Sequence, residues 1–367
     1  MSEAIVYRVP GRINFIGEHT DYNLGFVLPG AIDLGLTFRM KKATGVHTEI
    51  RSLLYGETAR CDALGRGLNQ PWTIFFRRTL ELLRSRGYQI GPVICEFGGD
   101  LPSGAGLSSS SAITCGFIHG LNHLFELGLS QMDIVQVASE AERGSGVEGG
   151  QMDQYAITFG EKGSLLYLDC RSMTHESVNT DLGDYQLVLW NTKVEHSLID
   201  SGYNDRHHDC RRGLHMLQAK DGNINSIRDI SLERLQSMKS ELDPVSYQRI
   251  LYVLQENDRV EATVAALKAN DLEVAGELLY ESHHGLATKY EVSCQELDYL
   301  VNWSKQYPKV LGARMMGGGF GGCVVALVRG VAVDDLFHRM ASDYEEQFGL
   351  VPELHRVSLE DGIRNIG

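Results

Sequence analysis

Two spacings of apolar residues organise this chain, one alternating with polar positions and one recurring every three or four. Residues 6–8, 47–53 and 93–97 alternate, the pattern of half-buried strands. Ile113, Phe117, Leu121, Leu124 and Phe125 recur at helical steps, which predicts an amphipathic helix over 108–127 with Gly128 ending it. A second helix is predicted over 131–143, with Ser130 as N-cap and Asp133 near the positive end of the helix dipole. Further strands are expected at 164–169, 185–190 and 323–328, and a long helical region at 257–279 breaks near Asn270 and Asp271. The polar stretch 171–184 reads as a boundary, dividing the chain into domains 1–182 and 183–367. Two domains suit the 367 residues, which exceed the usual size of one core. Strands and helices mix in both halves, an α+β or α/β class.

Composition narrows the partners. Apolar residues make up 43% and charged residues 22%, ordinary for a soluble globular chain. Lys and Arg number 34 against 48 Asp and Glu, and a net charge of -14 opposes binding to nucleic acid or anionic membrane. The opening MSEAIVYRVPGRINF lacks a basic flank followed by an apolar run, and no stretch reaches the roughly 18 apolar residues of a membrane helix. A cytoplasmic protein, monomeric or weakly self-associating, acting on small molecules is expected. Seven scattered cysteines, none in CxxC, suit reduced thiols and no structural zinc. The pairs His207–His208 and His283–His284 lack Cys or carboxylate partners at ligand spacing in sequence, so packed or solvated histidines are expected.

Three segments carry chemistry. Leu101-Pro-Ser-Gly-Ala-Gly-Leu-Ser-Ser-Ser-Ser-Ala112 joins a strand to a helix. Gly104 and Gly106 let backbone N–H groups turn inward, and the helix start adds unpaired donors with partial positive charge, so a phosphate chain with Mg²⁺ fits. The same loop could simply cap the helix; it is neither the Walker pattern nor GxGxxG with a distant acid. Pro10-Gly-Arg-Ile-Asn-Phe-Ile-Gly-Glu-His-Thr-Asp-Tyr-Asn23 crowds Arg12, Glu18, His19 and Asp21 together. Acids and a histidine so close can pin several hydroxyls, while Arg12 can hold a phosphate or keep a carboxylate ionised; a solvated polar turn is the plainer reading. In Gly146-Val-Glu-Gly-Gly-Gln-Met-Asp-Gln154, Asp153 can act on a hydroxyl proton or serve only as a helix-start acid.

Together these segments resemble the three-motif pattern of the GHMP kinase superfamily, and residues 10–29 are similar to the signature of its galactokinase branch. Segments 201–206, 256–260, 290–293 and 312–323 are similar to that branch too, so the resemblance spans nearly the whole chain. It implies an α+β fold with an N-terminal ribosomal-protein-S5-like domain, a C-terminal ferredoxin-like domain and an active site between them. It implies ATP and Mg²⁺, and transfer of phosphate to the anomeric hydroxyl of galactose. By position, Gly104, Gly106, Leu107, Ser108, Ser109 and Ser110 would hold ATP, and Ser110 and Glu142 the metal. Arg12 and Asp153 would be catalytic, with Asp153 as base or orienting carboxylate. Glu18, His19, Asp21, Gly150, Asp153 and Tyr203 would contact the sugar. Gly149-Gly150-Gln151 stands where the branch usually has Cys-Gly-Ile, and Met316 replaces a usual Thr. A kinase for N-acetylgalactosamine, L-arabinose or another relative stays open, as does a non-catalytic sugar sensor.

Overall fold

The structure, a computed structural model, describes residues 3–62, 65–102, 104–146, 148–194 and 202–366. The first half contains β1 (Ile5–Asn14), β2 (Phe26–Val27), β3 (Pro29–Lys42), β4 (Thr48–Ser52) and β5 (Glu57–Cys61). Then follow α1 (Ile74–Ser85), β6 (Val93–Gly99), α2 (Ser109–Phe125), α3 (Gln131–Arg143), α4 (Met152–Phe159), β7 (Ser164–Asp169) and β8 (Thr174–Asn179). The second half runs β9 (Tyr185–Asn191), α5 (Tyr203–Lys220), α6 (Leu232–Ser237), α7 (Pro244–Lys268), α8 (Leu272–Gly285) and α9 (Gln295–Ser304). It closes with β10 (Val310–Met315), β11 (Cys323–Arg329), α10 (Val333–Phe348), β12 (Glu353–Val357) and β13 (Arg364–Asn365).

Three sheets result, in the orders β13-β1-β3-β6-β4-β5, β10-β11-β9-β12 and β2-β7-β8. The pairings are antiparallel except β4 with β6. The four-stranded sheet is apolar on both faces, which explains why β11 reads as an unbroken run, CVVALV, without alternation. Leu187, Leu189, Val325 and Leu327 face a core shared with Val9, Phe38, Phe97 and Phe117 of the first half. Val188, Trp190, Val324 and Val328 face a second core built with α7, α9 and α10. The last residues return to the first sheet, where Arg364 pairs with Arg8 and Leu359 bridges to Ile32.

Several sequence expectations shift. The boundary stretch 171–184 holds a strand, β8, whose residues are mostly solvent-facing with Val178 alone buried, so it carries little apolar signal. The helix expected from 257 begins at Pro244, where Asp243 accepts from the N–H groups of Val245 and Ser246, a cap followed by proline at the first turn. The expected break holds: Asn270 adopts a left-handed φ of 55° and Asp271 caps α8. α2 ends at Glu126, itself left-handed, ahead of Gly128.

Besides the shared core and the returning strand, a buried arginine ties the halves together. Arg314 of β10 is fully buried, donating from Nε to the carbonyl of Phe15 (2.7 Å), from Nη1 to that of Met315 (2.6 Å) and from Nη2 to that of Asn14. Nη2 also lies 3.3 Å from Glu18 Oε1. Arg314→Met would strand a buried carboxylate and three carbonyls, so a loss of about 3–5 kcal/mol is expected in urea unfolding. A loss below about 1 kcal/mol would show that this fork does not hold the halves together.

Candidate active site

The three chemistry-bearing segments meet on one cleft of about 350 Å³. Arg12, near the end of β1, is 4% exposed and forms a two-pronged pair with Asp153 in the first turn of α4: Nε to Oδ1 is 2.7 Å and Nη2 to Oδ2 is 3.1 Å. Its third prong, Nη1, donates to the carbonyl of Gly106 at 2.6 Å. Burial opposes the guanidinium's charge, but Asp153 and the neighbouring Glu18 and Asp21 outweigh it and raise the Arg12 pKa. Ser108 completes the grip, its Oγ donating to Asp153 Oδ2 at 2.5 Å. One carboxylate is thus fixed from three sides.

The loop before α2 is shaped by left-handed residues, Gly104 and Gly106 at φ 74° and 72° and Ser108 at φ 59°. The backbone N–H groups of the first helical turn have no intrahelical partners and stay available to an anion. Gly104, Gly106, Leu107, Ser108, Ser109 and Ser110 all line the cleft, Leu107 with its side chain anchored in the core. Ser103, Val147 and Ser201, which belong to the expected motifs, lie outside the described residues.

Glu142, in the last turn of α3, accepts from Gln154 Nε2 at 2.8 Å and from Ser111 Oγ at 3.0 Å. Ser111, expected with the serine run to offer its hydroxyl to phosphate or metal, instead donates it to Glu142, and Gln154 carried no signal of its own because its part is to orient another side chain. Burial pushes the Glu142 carboxyl up to about 7, against these hydrogen bonds.

Glu18, His19, Asp21, Gly150 and Tyr203 line the opposite side. Glu18 has one oxygen committed, Oε1 accepting from the Gly317 N–H at 2.7 Å as well as facing Arg314. Burial, then the charge of Asp153, lifts the Asp21 carboxyl to about 7, and burial drops His19 to about 3, so its ring is neutral. A Cβ on Gly150 would stand 2.2 Å from Asp21 Oδ2, so only glycine lets this backbone approach so near. The glycine-rich turn after β10, with Met316 and Gly317 to Gly319, forms the floor and was assigned no role from sequence.

One expectation needs correcting. His207 does have a carboxylate partner: its Nδ1 lies 2.9 Å from Glu148 Oε2, and the two groups gather with His208 within 4.8 Å. Glu148 comes from the loop before α4, too distant in sequence for ligand spacing to show it. Arg211 Nη1 lies 3.8 Å from the same oxygen.

Comparison with known proteins agrees with this geometry. Residues 1–42 match the galactokinase galactose-binding signature, 75–161 the GHMP kinases N terminal domain and 263–346 the GHMP kinases C terminal domain. The galactokinase of Thermosipho africanus is 35% identical over 360 residues, 98% of this chain and 99% of that protein. That of Thermotoga neapolitana is 36% identical over 362 residues, again 98% and 99%. The crystal structure of Lactococcus lactis galactokinase complexed with galactose superposes with a TM-score of 0.94 at 31% identity, covering 100% of this chain and 96% of that one. Methanococcus jannaschii mevalonate kinase, at 16% identity and a TM-score of 0.68 over 98% and 99%, shares the fold. The fold and the cleft define a GHMP kinase, of α+β class with the two-domain architecture expected from sequence. Within that class, the chain belongs to the galactokinase family.

The raised carboxyls yield a pH test. The folded chain keeps a proton on Asp21 up to about 7, whereas the unfolded chain releases it near about 4. Stability from this group is therefore present below about pH 4 and lost as pH climbs through about 7. A neutral amide in its place has no such loss, so Asp21→Asn should gain stability over the wild type progressively across that window in urea unfolding. A difference independent of pH would contradict the raised carboxyl.

Proposed function

We propose that this protein transfers the γ-phosphoryl group of ATP to the anomeric hydroxyl of galactose, giving galactose 1-phosphate and ADP. The observation that carries this is the Arg12–Asp153 pair, held between the N-terminus of α2 and the signature loop on one cleft wall. Residues 1–182 supply most of this surface as a sugar- and ATP-binding domain, and 183–367 form the second domain, which adds Tyr203 and the glycine-rich floor.

The roles follow from the contacts. Phosphoryl transfer asks mainly for alignment and charge stabilisation. The free N–H groups at the start of α2, with Gly104, Gly106 and Leu107 before it, cradle the phosphates, and the hydroxyls of Ser108, Ser109 and Ser110 add donors. As the sugar oxygen bonds to phosphorus and the bond to ADP breaks, Asp153 orients the hydroxyl and takes its proton. Arg12 keeps that carboxylate in place and balances negative charge. Glu18, His19, Asp21 and Tyr203 meet the remaining hydroxyls, while Gly150 approaches through its backbone. Among the described residues His19 Nε2 has no partner of full hydrogen-bonding geometry, only the backbone of Gly318 acting on the ring, and His19 lines the cleft, as a group awaiting a ligand would.

Mg²⁺ fits this chain's residues: Ser110 and Glu142 offer oxygen donors of the hard kind it prefers, and Gln154 Oε1 beside Glu142 is buried without a partner. When bound it would neutralise charge on the phosphate oxygens. The intact set of Arg12, Asp153 and the serine run favours an enzyme over a sugar sensor.

ADP release measured across a panel of sugars, with ATP and Mg²⁺, tests the reading. Galactose is expected to give the highest kcat/KM; a many-fold advantage for another sugar would reassign the substrate. Asp153→Asn should lower kcat by about 10²–10⁴. Retention of wild-type turnover would remove Asp153 from the mechanism.

A further inference from the structure

The hydrogen bonding of His19 continues away from the cleft. Its Nδ1 lies 2.7 Å from the Tyr22 hydroxyl, which lies 2.9 Å from the Tyr290 hydroxyl, which in turn lies 3.2 Å from Cys210 Sγ. Tyr290 and Cys210 are buried, at 0% and 1% exposure. The row joins the signature loop to α5 and to Leu286–Tyr290, a π-helical turn of the kind that often marks functional sites. At the other end Nε2 has no partner of full hydrogen-bonding geometry among the described residues, although a backbone hydrogen bond with Gly318 offsets part of the ring's burial.

Such a row can order its protons in two ways, because each hydroxyl donates once. In one, Cys210 donates to Tyr290, Tyr290 to Tyr22 and Tyr22 to Nδ1, so Nε2 carries the hydrogen that faces the cleft. In the other every bond reverses, and Nε2 presents a bare lone pair. Acid strength favours the first: a phenol is a far better acid than a neutral imidazole N–H, and the imidazole nitrogen a better base than a phenol oxygen. Distance agrees, since O–H donors sit at about 2.7–2.8 Å and N–H donors at about 2.9–3.0 Å. The far end favours the reverse order only weakly: Cys210 can accept from Tyr290 and from Asn23, but sulfur is a weak acceptor.

We propose that Tyr22 and Tyr290 are positioning residues whose ordered row, backed by Cys210, fixes His19 as the Nε2–H tautomer, so that the sugar meets a donor at this point. Asp21 on the same loop supplies acceptors. The bound hydroxyl must therefore turn a lone pair toward His19. This inference rests on the cleft binding a hexose as proposed above.

Long-range ¹H–¹⁵N spectra of the sugar-free full chain, with His19 assigned by comparison with His19→Gln, read the tautomer directly. The expected result is an unprotonated Nδ1 and a protonated Nε2 in the wild type, and mixed tautomers in Tyr22→Phe. Tyr22→Phe and Tyr290→Phe keep their rings, and each should raise KM for galactose about tenfold while kcat falls less than about threefold. Cys210→Ser, whose hydroxyl donates better than a thiol, should keep the wild-type tautomer and KM. An Nδ1–H tautomer in the wild type would overturn the proposal, as would Tyr22→Phe and Tyr290→Phe variants whose tautomer and KM match it. Should one variant fail to fold, the wild-type spectrum and the other variant still decide. Absence of galactose turnover by the wild type would instead sink the proposed function, leaving the tautomer measurement intact.

Discussion

The buried guanidinium of Arg314 is the constraint on which the site's geometry rests. A charge with no exposure to water is tolerable only when its donors are answered, and here the acceptors are the carbonyls of Asn14, Phe15 and Met315 and the carboxylate of Glu18. The planar fork can satisfy them together in only a narrow range of positions of β10 against the end of β1. That register carries consequences a few residues on. Directly after β10 the chain turns through Met316 and Gly317, whose N–H binds Glu18. The turn comes close enough to the loop before α2 that a Cβ on Gly317 would stand 3.4 Å from the carbonyl of Gly106. One side chain thus ties the glycine-rich turn to the signature loop, and that turn lies beside the loop before α2.

Charge distribution in the cleft follows the same logic. Among the described residues four carboxylates line it, and two have their own cation: Glu18 has Arg314 and Asp153 has Arg12. Asp21 and Glu142 have no cation of their own among the described residues, and burial drives both up to about 7. For Asp153, the two-pronged arginine is what the proposed role of receiving a proton would demand. For Asp21 and Glu142, the missing counter-charge leaves sites whose ionised form would gain most from the proposed ligands, hydroxyl donors at one and a divalent cation at the other. In the proposed reaction, a chain with net charge -14 would receive its anionic nucleotide through helix-end N–H groups rather than through a surplus of basic side chains.

Parts of this were readable from sequence wherever the signal is local. Ser130 and Asp133 form the reciprocal cap that a Ser-x-x-Asp spacing announces, and Asn270–Asp271 announce a left-handed end and a new cap. The site residues fell within short motifs, so they could be named even though 141 positions separate Arg12 from Asp153. What escaped was non-local or silent in side-chain chemistry. Arg314 binds main-chain carbonyls, which no residue type advertises. The pairing of β13 with β1 spans almost the whole chain. β8 and α5 are polar along most of their length, and Tyr22, Tyr290 and Cys210 look like ordinary aromatic and thiol positions until the fold aligns their hydroxyls and sulfur.

Backbone strain indicates that the recognition surface is set before any ligand arrives. His19 and Ser108 both adopt left-handed backbones, at φ 62° and 59°, which cost of order 1 kcal/mol or more for residues bearing a Cβ. Strain of that size persists only where surrounding bonds over-determine the loop. Around His19 they do: Asn23 Nδ2 donates to its carbonyl at 2.8 Å, Thr20 Oγ1 donates to the carbonyl of Gly17 at 2.8 Å, and Tyr252 donates to that of Glu18 at 2.9 Å. Ser108 is held by its own bond to Asp153. Both strained residues line the cleft, His19 in the signature loop and Ser108 in the loop before α2. Straightening either would swing its side chain away from the carboxylate or ring it serves. The ordering entropy that a flexible loop would lose on binding has therefore been met largely during folding, which leaves more of the contact energy for alignment of the reacting groups.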